Sequence, residues 1–297
     1  MSKIFAFLSA TATAITVLSV SVAHAGETLD RIKSNKAISI GYREASIPFS
    51  YLGADQKPIG FSMDLCADLV KQLESDLGET LAVNLVAVNS SNRIPLIQNG
   101  TIDIECGGTS SSKKRLEQVM FSVSTFASQP AWLTMSASGL TSTADIKGKT
   151  VVVTQGSNAV AIAQGISQKD DLGLNVVQAK DHAESFLMLT SGRAAAFMED
   201  DILLAGLKAQ YAKPDDLSFL SDQYDKTYYG LMFSKDDPEF KQTVDGVLSK
   251  LMASGDFNKI YDKWFVSPIP PKDINLNFPL NDAMKERVAH PSDVVDY

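Results

Sequence analysis

The stretch Thr101–Ser110, TIDIECGGTS, decides the fold, because a short apolar strand leads directly into a turn built on Gly107 and Gly108. The same order returns at Thr150–Thr154, a β-branched strand followed by Gly156 and a helical segment. Alternation of strands and helices predicts an α/β protein. Ligands of open α/β sheets bind beyond the carboxyl ends of the strands, so polar residues at these positions are candidate binding residues.

The remaining segments continue this alternation. Further strands are predicted at Ala37–Tyr42, Leu81–Val88, Asn175–Gln178, Ala194–Met198 and Thr227–Phe233. Helices are predicted at Ser62–Leu77 with Ser62 as cap, from Ser90 as cap to Asn99-Gly100, at Asn158–Gln168, from Asp181 to Ser191, and at Asp201–Gln210, Asp237–Ala253 and Phe257–Trp264. The proline-rich tail from Ser267 is expected to wrap the surface rather than join a core.

The first 25 residues are typical of a signal peptide. Lys3 precedes the apolar stretch Ile4–Val22, and Ala23-His24-Ala25 is a small-x-small cleavage pattern, so the mature chain is expected to start at Gly26. The alternative is a membrane anchor, although the stretch is rich in Ser and Thr and only marginally long for a span. Removal of 25 from 297 residues leaves 272, which is enough for two lobes.

Charge narrows the classes of partner. Without Lys3 the mature chain has 26 basic residues (27 − 1) against 35 acidic ones, a formal net charge of −9, which argues against nucleic acid or an anionic membrane. Arginine is scarce, with six residues against 21 lysines, yet Arg43, Arg93 and Arg115 lie at loops or helix starts within one third of the chain. The planar guanidinium matches a carboxylate, so these three are candidate anion ligands; the alternative is that they are ordinary surface cations.

Two cysteines, Cys66 and Cys106, would meet an oxidising compartment after export. A disulfide between them is one prediction, and two buried free thiols are the alternative. A zinc site is not favoured, because two Cys and the two His of the mature chain at scattered spacings do not make a ligand set.

Several motifs together resemble bacterial periplasmic amino-acid-binding proteins of solute-binding protein family 3. They are Glu44–Tyr51 (EASIPFSY), Asn92–Thr101 (NRIPLIQNGT) with Asp103 and Glu105-Cys106-Gly107, Phe197–Asp201 (FMEDD), Lys263-Trp264-Phe265 and Pro268–Lys272 (PIPPK). All of them except the first are similar to the glutamate/aspartate branch. The resemblance extends from about residue 28 to about residue 285.

This resemblance implies a two-lobed type II periplasmic-binding-protein fold with the ligand in the cleft between the lobes. Two hinge strands are expected near Thr125–Ser128 and Tyr228–Leu231, with residues 26–126 plus 230–297 in the first lobe and 127–229 in the second. The implied function is capture of L-glutamate or L-aspartate in the periplasm by a monomer. The partner would be the permease and ATPase of an ABC importer, with no cofactor and no enzymatic activity.

The resemblance also assigns roles at the ligand. Arg115 and Thr109 would bind the α-carboxylate, Asp200 the α-ammonium, and Arg43, Ser90, Arg93 and His182 the side-chain carboxylate, with Asn158 as a further candidate. Four of them have a simpler alternative: Arg115 could be an exposed residue of a basic run, Asp200 and Ser90 could be helix caps only, and His182 could be a first-turn helix residue without a ligand. Gly108 departs from the family pattern, which has Ser beside the α-carboxylate.

Two other functions remain as alternatives. One is a periplasmic dehydratase of an amino-acid-like substrate on the same fold, for which His182 and Glu199 are available as acid or base. The other is a protein that presents its ligand to a chemosensory receptor.

Overall fold

The computed structural model describes residues 27–235 and 237–295, so the predicted signal peptide lies outside the described residues. The strands are β1 (Ala37–Tyr42), β2 (Ala45–Ser46), β3 (Ser50–Leu52), β4 (Pro58–Ile59), β5 (Ala82–Ala87), β6 (Ile104–Glu105), β7 (Val119–Phe121), β8 (Phe126–Ser128), β9 (Pro130–Met135), β10 (Thr150–Thr154), β11 (Asn175–Ala179), β12 (Ala196–Asp200), β13 (Leu217–Phe219), β14 (Thr227–Tyr229), β15 (Met232–Ser234), β16 (Pro268–Ile269) and β17 (Ile274–Asn275). The helices are α1 (Glu27–Asn35), α2 (Phe61–Leu77), α3 (Arg93–Gln98), α4 (Lys113–Leu116), α5 (Ala159–Lys169), α6 (His182–Thr190), α7 (Asp201–Gln210), α8 (Pro238–Ser254), α9 (Asp256–Phe265) and α10 (Asp282–Ala289).

Two five-stranded sheets have the same plan. The first sheet has the order β5-β1-β6-β15-β7, and the second has the order β11-β10-β12-β9-β13. In the first sheet β5, β1 and β6 are parallel, β15 is antiparallel to β6, and β7 is antiparallel to β15. In the second sheet β11, β10 and β12 are parallel, β9 is antiparallel to β12, and β13 is antiparallel to β9. The chain passes from the first sheet to the second at β8 and returns at β14, and these two strands pair with each other antiparallel.

Local sequence explains where the main elements form. The Leu65, Leu69 and Leu73 side chains of α2 recur every fourth residue and are buried, as an amphipathic helix requires. Gly78 ends this helix in the left-handed conformation. The predicted Ser62 cap is wrong: the helix starts at Phe61, and the Ser62 hydroxyl donates to the carbonyl oxygen of Gly107 at 2.9 Å, which ties α2 to the glycine turn.

An aromatic cluster fills the core beneath the paired strands β8 and β14. The rings of Phe126 and Phe265 stack with centroids 4.9 Å apart, and Phe49 contacts both Phe126 and Tyr229 edge-on or tilted at 5.0 Å. Leu203 of α7 belongs to the same buried cluster, although α7 packs on the second sheet. The apolar contacts therefore continue across the junction between the two sheets.

A disulfide joins Cys66 of α2 to Cys106 after β6, with Cα atoms 6.3 Å apart. The expected bond is confirmed, and the alternative of two free thiols is wrong. Cys106 immediately precedes the Gly107-Gly108 turn, so the bond fixes the end of β6 against a helix.

Two other sequence predictions are corrected. The predicted strand Thr227–Phe233 is divided between β14, which pairs with β8, and β15, which pairs with β6 and β7. Gly230 lies between the two, and a Cβ atom there would lie 3.0 Å from the carbonyl oxygen of Ser122. The tail does not merely wrap the surface: Ile269 and Met284 are fully buried in the core of the first sheet. None of the helices in the described part of the chain is long and apolar enough to span a bilayer.

Candidate functional site

The carboxyl ends of the parallel strands of the two sheets surround a narrow cavity, with about 10 Å³ of space for the centre of a water-sized molecule. Loops after β5 and β6 contribute from the first sheet, and loops after β10, β11 and β12 from the second. The lining residues are Ser90, Arg93, Gly108, Ser110, Arg115, Ser157, Asn158, His182, Glu199, Asp200 and Leu203. Six of the eight residues predicted from sequence are among them, while Arg43 and Thr109 each lie one hydrogen bond behind the lining.

Arg43 and Arg93 form the cationic end of the cavity. Each side chain is buried, and Arg43 donates from Nη2 to the Ser90 hydroxyl at 3.1 Å. Nη1 of Arg43 and Nε of Arg93 are buried without a hydrogen-bond partner in the described residues. Burial, reinforced by repulsion from Arg93, lowers the pKa of Arg43 to about 10, so Arg43 remains a cation at neutral pH. Ser90 is not a helix cap, since α3 starts at Arg93 with Asn92 before it.

Glu105 was missed as a site residue at the level of sequence. It is completely buried, accepts a hydrogen bond from the Thr109 hydroxyl at 2.7 Å, and lies 3.7 Å from Nη1 of Arg93. Arg93 in turn donates to the Thr109 hydroxyl. Gly107 is required here, because a Cβ atom would come within 2.1 Å of the Glu105 carboxylate. Glu105 is therefore a buried counter-ion directly behind the arginines.

Arg115 connects the two sheets across the cavity. Its Nη1 donates to the carbonyl oxygen of Ser110 at 2.6 Å, and its Nη2 donates to the carbonyl oxygen of Gly156 at 3.0 Å. The side chain is buried, so the alternative of an exposed residue in a basic run is wrong. Burial lowers its pKa to about 9, with repulsion from Arg93 as the second cause, and the guanidinium is still charged at pH 7. Asn158 also connects the two sheets, because its Nδ2 donates a hydrogen bond to the Ser110 hydroxyl at 3.0 Å.

Asp200 is held by β14, the strand on which the chain returns to the first sheet. Its Oδ2 accepts from the Tyr229 hydroxyl at 2.5 Å, and its Oδ1 accepts from Thr227 at 3.4 Å. Although Asp200 precedes α7, its side chain makes no hydrogen bond to that helix, so the alternative of a side-chain cap is wrong. Burial raises the pKa of Asp200, and the hydrogen bond from Tyr229 opposes the rise.

His182 and Glu199 face each other on the second sheet. Nδ1 of His182 lies 3.5 Å from Oε2 of Glu199 and 2.8 Å from the Thr154 hydroxyl. Burial, followed by repulsion from Arg43 and Arg93, holds the pKa of His182 well below its usual range, so the imidazole is neutral at pH 7. Burial and the neighbouring Asp200 raise the pKa of Glu199. His182 is a first-turn residue of α6, capped by Asp181 as predicted, and it also lines the cavity.

Three cations and three acids thus surround the cavity. The cations Arg43, Arg93 and Arg115 all lie on the first sheet together with Glu105, whereas Glu199 and Asp200 lie in β12 of the second sheet. Such an arrangement suits a zwitterion, because guanidinium groups bind carboxylates and the β12 carboxylates bind an ammonium. Gly108 leaves little spare room: a Cβ atom there would lie 3.0 Å from the Phe49 ring and 3.3 Å from Tyr229. A serine at this position would therefore require one of the rings to move.

Ser110, Ser157 and Leu203 also line the cavity and were not predicted. Ser110 and Ser157 follow strands β6 and β10, and this strand-end position is the signal that identifies them. Leu203 gives no such signal, because its spacing in α7 is that of an ordinary core residue.

Comparisons with known proteins agree with this architecture. The chain matches bacterial extracellular solute-binding proteins, family 3, over residues 38–267. It is 45% identical over 268 residues to the L-glutamate/L-aspartate-binding protein of Pseudomonas aeruginosa, covering 90% of this chain and 89% of that protein. It is 41% identical over 270 residues to the glutamate/aspartate import solute-binding protein of Escherichia coli K12, covering 91% and 89%.

Among solved structures, the ABC uptake transporter substrate-binding protein from Streptococcus pneumoniae with bound histidine aligns with a TM-score of 0.73 at 23% identity, covering 81% of this chain and 96% of that one. The predicted two-lobed, type II periplasmic-binding-protein fold is confirmed. The first sheet with its helices is the core of one lobe, and the second sheet with its helices is the core of the other. The chain belongs to the bacterial extracellular solute-binding proteins, family 3.

Proposed function

We propose that this protein captures L-glutamate or L-aspartate between its two lobes and delivers it to an ABC importer. The relatives from Pseudomonas aeruginosa and Escherichia coli carry glutamate and aspartate in their names, at 45% and 41% identity over most of both chains. In our assignment Arg115 and Thr109 serve the α-carboxylate, and Asp200 serves the α-ammonium. Arg43, Ser90, Arg93 and His182 serve the side-chain carboxylate, with Asn158 closing the lobes.

One observation carries the proposal: Arg43 and Arg93 are both buried, and each has a nitrogen without a hydrogen-bond partner within the described ranges. A carboxylate side chain would supply the missing acceptors. With a neutral side chain these cations would stay incompletely paired, and an uncompensated buried charge costs about 3–5 kcal/mol, or about two to three and a half decades of affinity. An acidic ligand is thus favoured over its amide.

Calorimetric titration of refolded protein with L-glutamate, L-aspartate, L-glutamine and L-asparagine tests the proposal. We expect one-to-one binding of the acidic pair and loss of binding in Arg115→Ala and Asp200→Ala. Arg93→Ala should weaken glutamate more than glutamine. Arg193→Ala is the matched control, because Arg193 is exposed and is not one of the cavity-lining residues. Equal affinity of the wild type for glutamate and glutamine contradicts the assignment of the cationic end.

The remaining parts of the proposal are the location of the protein, its oligomeric state and the closure of its lobes. We propose a periplasmic, monomeric and non-catalytic protein that serves a permease and its ATPase, after loss of residues 1–25. The lobes would be residues 26–126 plus 230–297 and residues 127–229, and would close about β8 and β14. The antiparallel pairing of these two crossing strands supports that hinge. Osmotic-shock release, light scattering, and uptake of labelled glutamate by a strain lacking the protein test these points.

A further inference from the structure

A chain of three hydrogen bonds lies behind His182. Its Nδ1 is 2.8 Å from the Thr154 hydroxyl, which is 2.9 Å from the Ser185 hydroxyl, which in turn is 3.0 Å from the carbonyl oxygen of Asp181. The side chains of His182, Thr154 and Ser185 are all buried, two of them with no exposed surface at all. Water therefore has little access to any member of the chain.

The backbone carbonyl at the end of the chain sets the direction of every bond. A carbonyl oxygen only accepts, so the Ser185 hydroxyl donates its single proton to Asp181. Ser185 must then accept from Thr154, which uses the single proton of that hydroxyl. Thr154 can consequently only accept from His182, and this requires the imidazole proton to be on Nδ1.

Glu199 lies beside the same nitrogen. Its Oε2 lies 3.5 Å from Nδ1 of His182 and has no hydrogen-bond partner in the described part of the chain. An N–H directed towards a carboxylate oxygen is attractive, whereas a nitrogen lone pair in that place is repelled. An ionised Glu199 therefore adds to the preference for a proton on Nδ1, but burial and Asp200 raise the pKa of Glu199, so the Thr154 hydroxyl decides the tautomer.

We propose that Thr154 and Ser185 are positioning residues that hold the His182 proton on Nδ1, so that an acidic ligand binds together with one proton on Nε2. The inference rests on the proposed function, in which the ligand side chain meets His182. A neutral imidazole with its proton on Nδ1 has only a lone pair on Nε2. That lone pair suits the N–H of an amide but opposes a carboxylate, unless a proton from solvent first bonds to Nε2 and forms the imidazolium.

The charged groups around His182 determine whether Nε2 is protonated. The cations are Arg43 after β1, Arg93 in α3 and Lys180 before α6. The acids are Glu44 after β1, Asp181 before α6, Glu184 in α6 and Glu199 in β12. In the absence of ligand, burial and the two arginines keep the pKa of His182 well below 6.5. A ligand carboxylate adds a negative charge beside the ring and raises the pKa in the complex. At pH values above the pKa of Asp200, affinity for glutamate should therefore fall as pH rises, by at most about tenfold per pH unit, while affinity for glutamine stays flat.

Nitrogen-15 NMR of the ligand-free protein tests the tautomer without reference to any ligand. We expect His182 to show a protonated Nδ1 and an unprotonated Nε2, with His290→Gln used to assign the signals. Ser185→Ala releases the Thr154 hydroxyl to donate to Nδ1, which should move the proton to Nε2. Thr154→Ser keeps the hydroxyl and should keep the wild-type pattern. A wild-type proton on Nε2, or no change in Ser185→Ala, overturns the inference.

Calorimetry in two buffers of different ionisation enthalpy tests the coupled proton. L-glutamate should bind with uptake of about one proton and L-glutamine with about none, and Ser185→Ala should reduce the glutamate value towards zero. Equal proton uptake for the two ligands overturns the coupling. If neither ligand binds, the proposed function fails and the coupling falls with it, while the NMR result still decides the tautomer.

Discussion

The guanidinium of Arg115 donates to the carbonyl oxygen of Gly156, 41 residues away and in the other lobe, at 3.0 Å. Gly156 has a positive φ of 78° and packs so closely that a Cβ atom would lie 2.6 Å from the carbonyl oxygen of Ser90. Such a contact forces the lobes apart. We therefore predict that Gly156→Ala weakens ligand affinity at least about tenfold in calorimetry, equivalent to about 1.4 kcal/mol.

Gly139→Ala separates this effect from backbone strain. Gly139 also has a positive φ, of 67°, but nothing lies within 4 Å of a Cβ atom there. Both variants should lose about 1–2 kcal/mol of unfolding free energy from the left-handed conformation. Affinity should fall only in Gly156→Ala, and an equal fall in both variants contradicts a closure contact at Gly156.

The 2.5 Å hydrogen bond from Tyr229 to Asp200 leads to a prediction about pH. Binding of the ligand ammonium requires the Asp200 carboxylate, so affinity declines as pH falls through the pKa of this group. The Tyr229 hydroxyl lowers that pKa against the effect of burial. Tyr229→Phe should therefore start the decline at higher pH, and should weaken affinity at pH 7 about ten- to a hundredfold, as loss of a charge-assisted bond implies.

Tyr228→Phe is the neighbouring control, because the Tyr228 ring lies 4.7 Å from the Arg287 guanidinium and outside the cavity lining. Calorimetry between pH 5 and pH 8 gives both profiles. A Tyr229→Phe profile parallel to that of the wild type would mean that the hydroxyl has no effect on Asp200.

Some of the fold is evident from sequence because local and tertiary preferences agree. Thr150–Thr154 forms the predicted strand, since a β-branched run suits a strand that is buried on both faces. Asp181 caps α6 as predicted, accepting from the Glu184 amide at 2.8 Å. Where the two preferences compete, prediction fails: the Ser62 hydroxyl bonds to Gly107, 45 residues away, rather than capping its own helix.

The candidate site, too, could be predicted from the sequence only in part. The resemblance to the family motifs assigns Arg43, Arg115 and Asp200, and the topology of an α/β sheet, which brings strand ends together, agrees with that assignment. Glu105 escapes this reasoning, because it lies within a short buried strand, and only the fold places it 3.7 Å from Arg93. The partners that direct the His182 proton are likewise determined by packing of α6 on β10.

The Cys66–Cys106 bond closes 40 residues of chain and should contribute substantially to stability. A loop of this length predicts that the double variant Cys66→Ala, Cys106→Ala loses about 4 kcal/mol of unfolding free energy. Urea denaturation measures the loss, and reductant should lower the stability of the wild type but leave the double variant unchanged. A loss below about 1 kcal/mol would mean that helix packing alone fixes the end of β6.

Glu105 and Glu199 are both buried carboxylates, yet their replacement by glutamine should have opposite effects. Glu199 has a pKa raised by burial and by Asp200, so its contribution to stability is present below its unfolded pKa and is lost as pH rises through the folded pKa. Glu199→Gln should therefore stabilise the protein at pH 8 by on the order of 1–3 kcal/mol, with the difference vanishing near pH 4. Glu105→Gln removes the carboxylate nearest to Arg93 and should destabilise by about 3–5 kcal/mol at pH 8. Urea unfolding at both pH values compares the pair, and destabilisation by Glu199→Gln at pH 8 would show that its carboxylate is a needed counter-ion of the arginines.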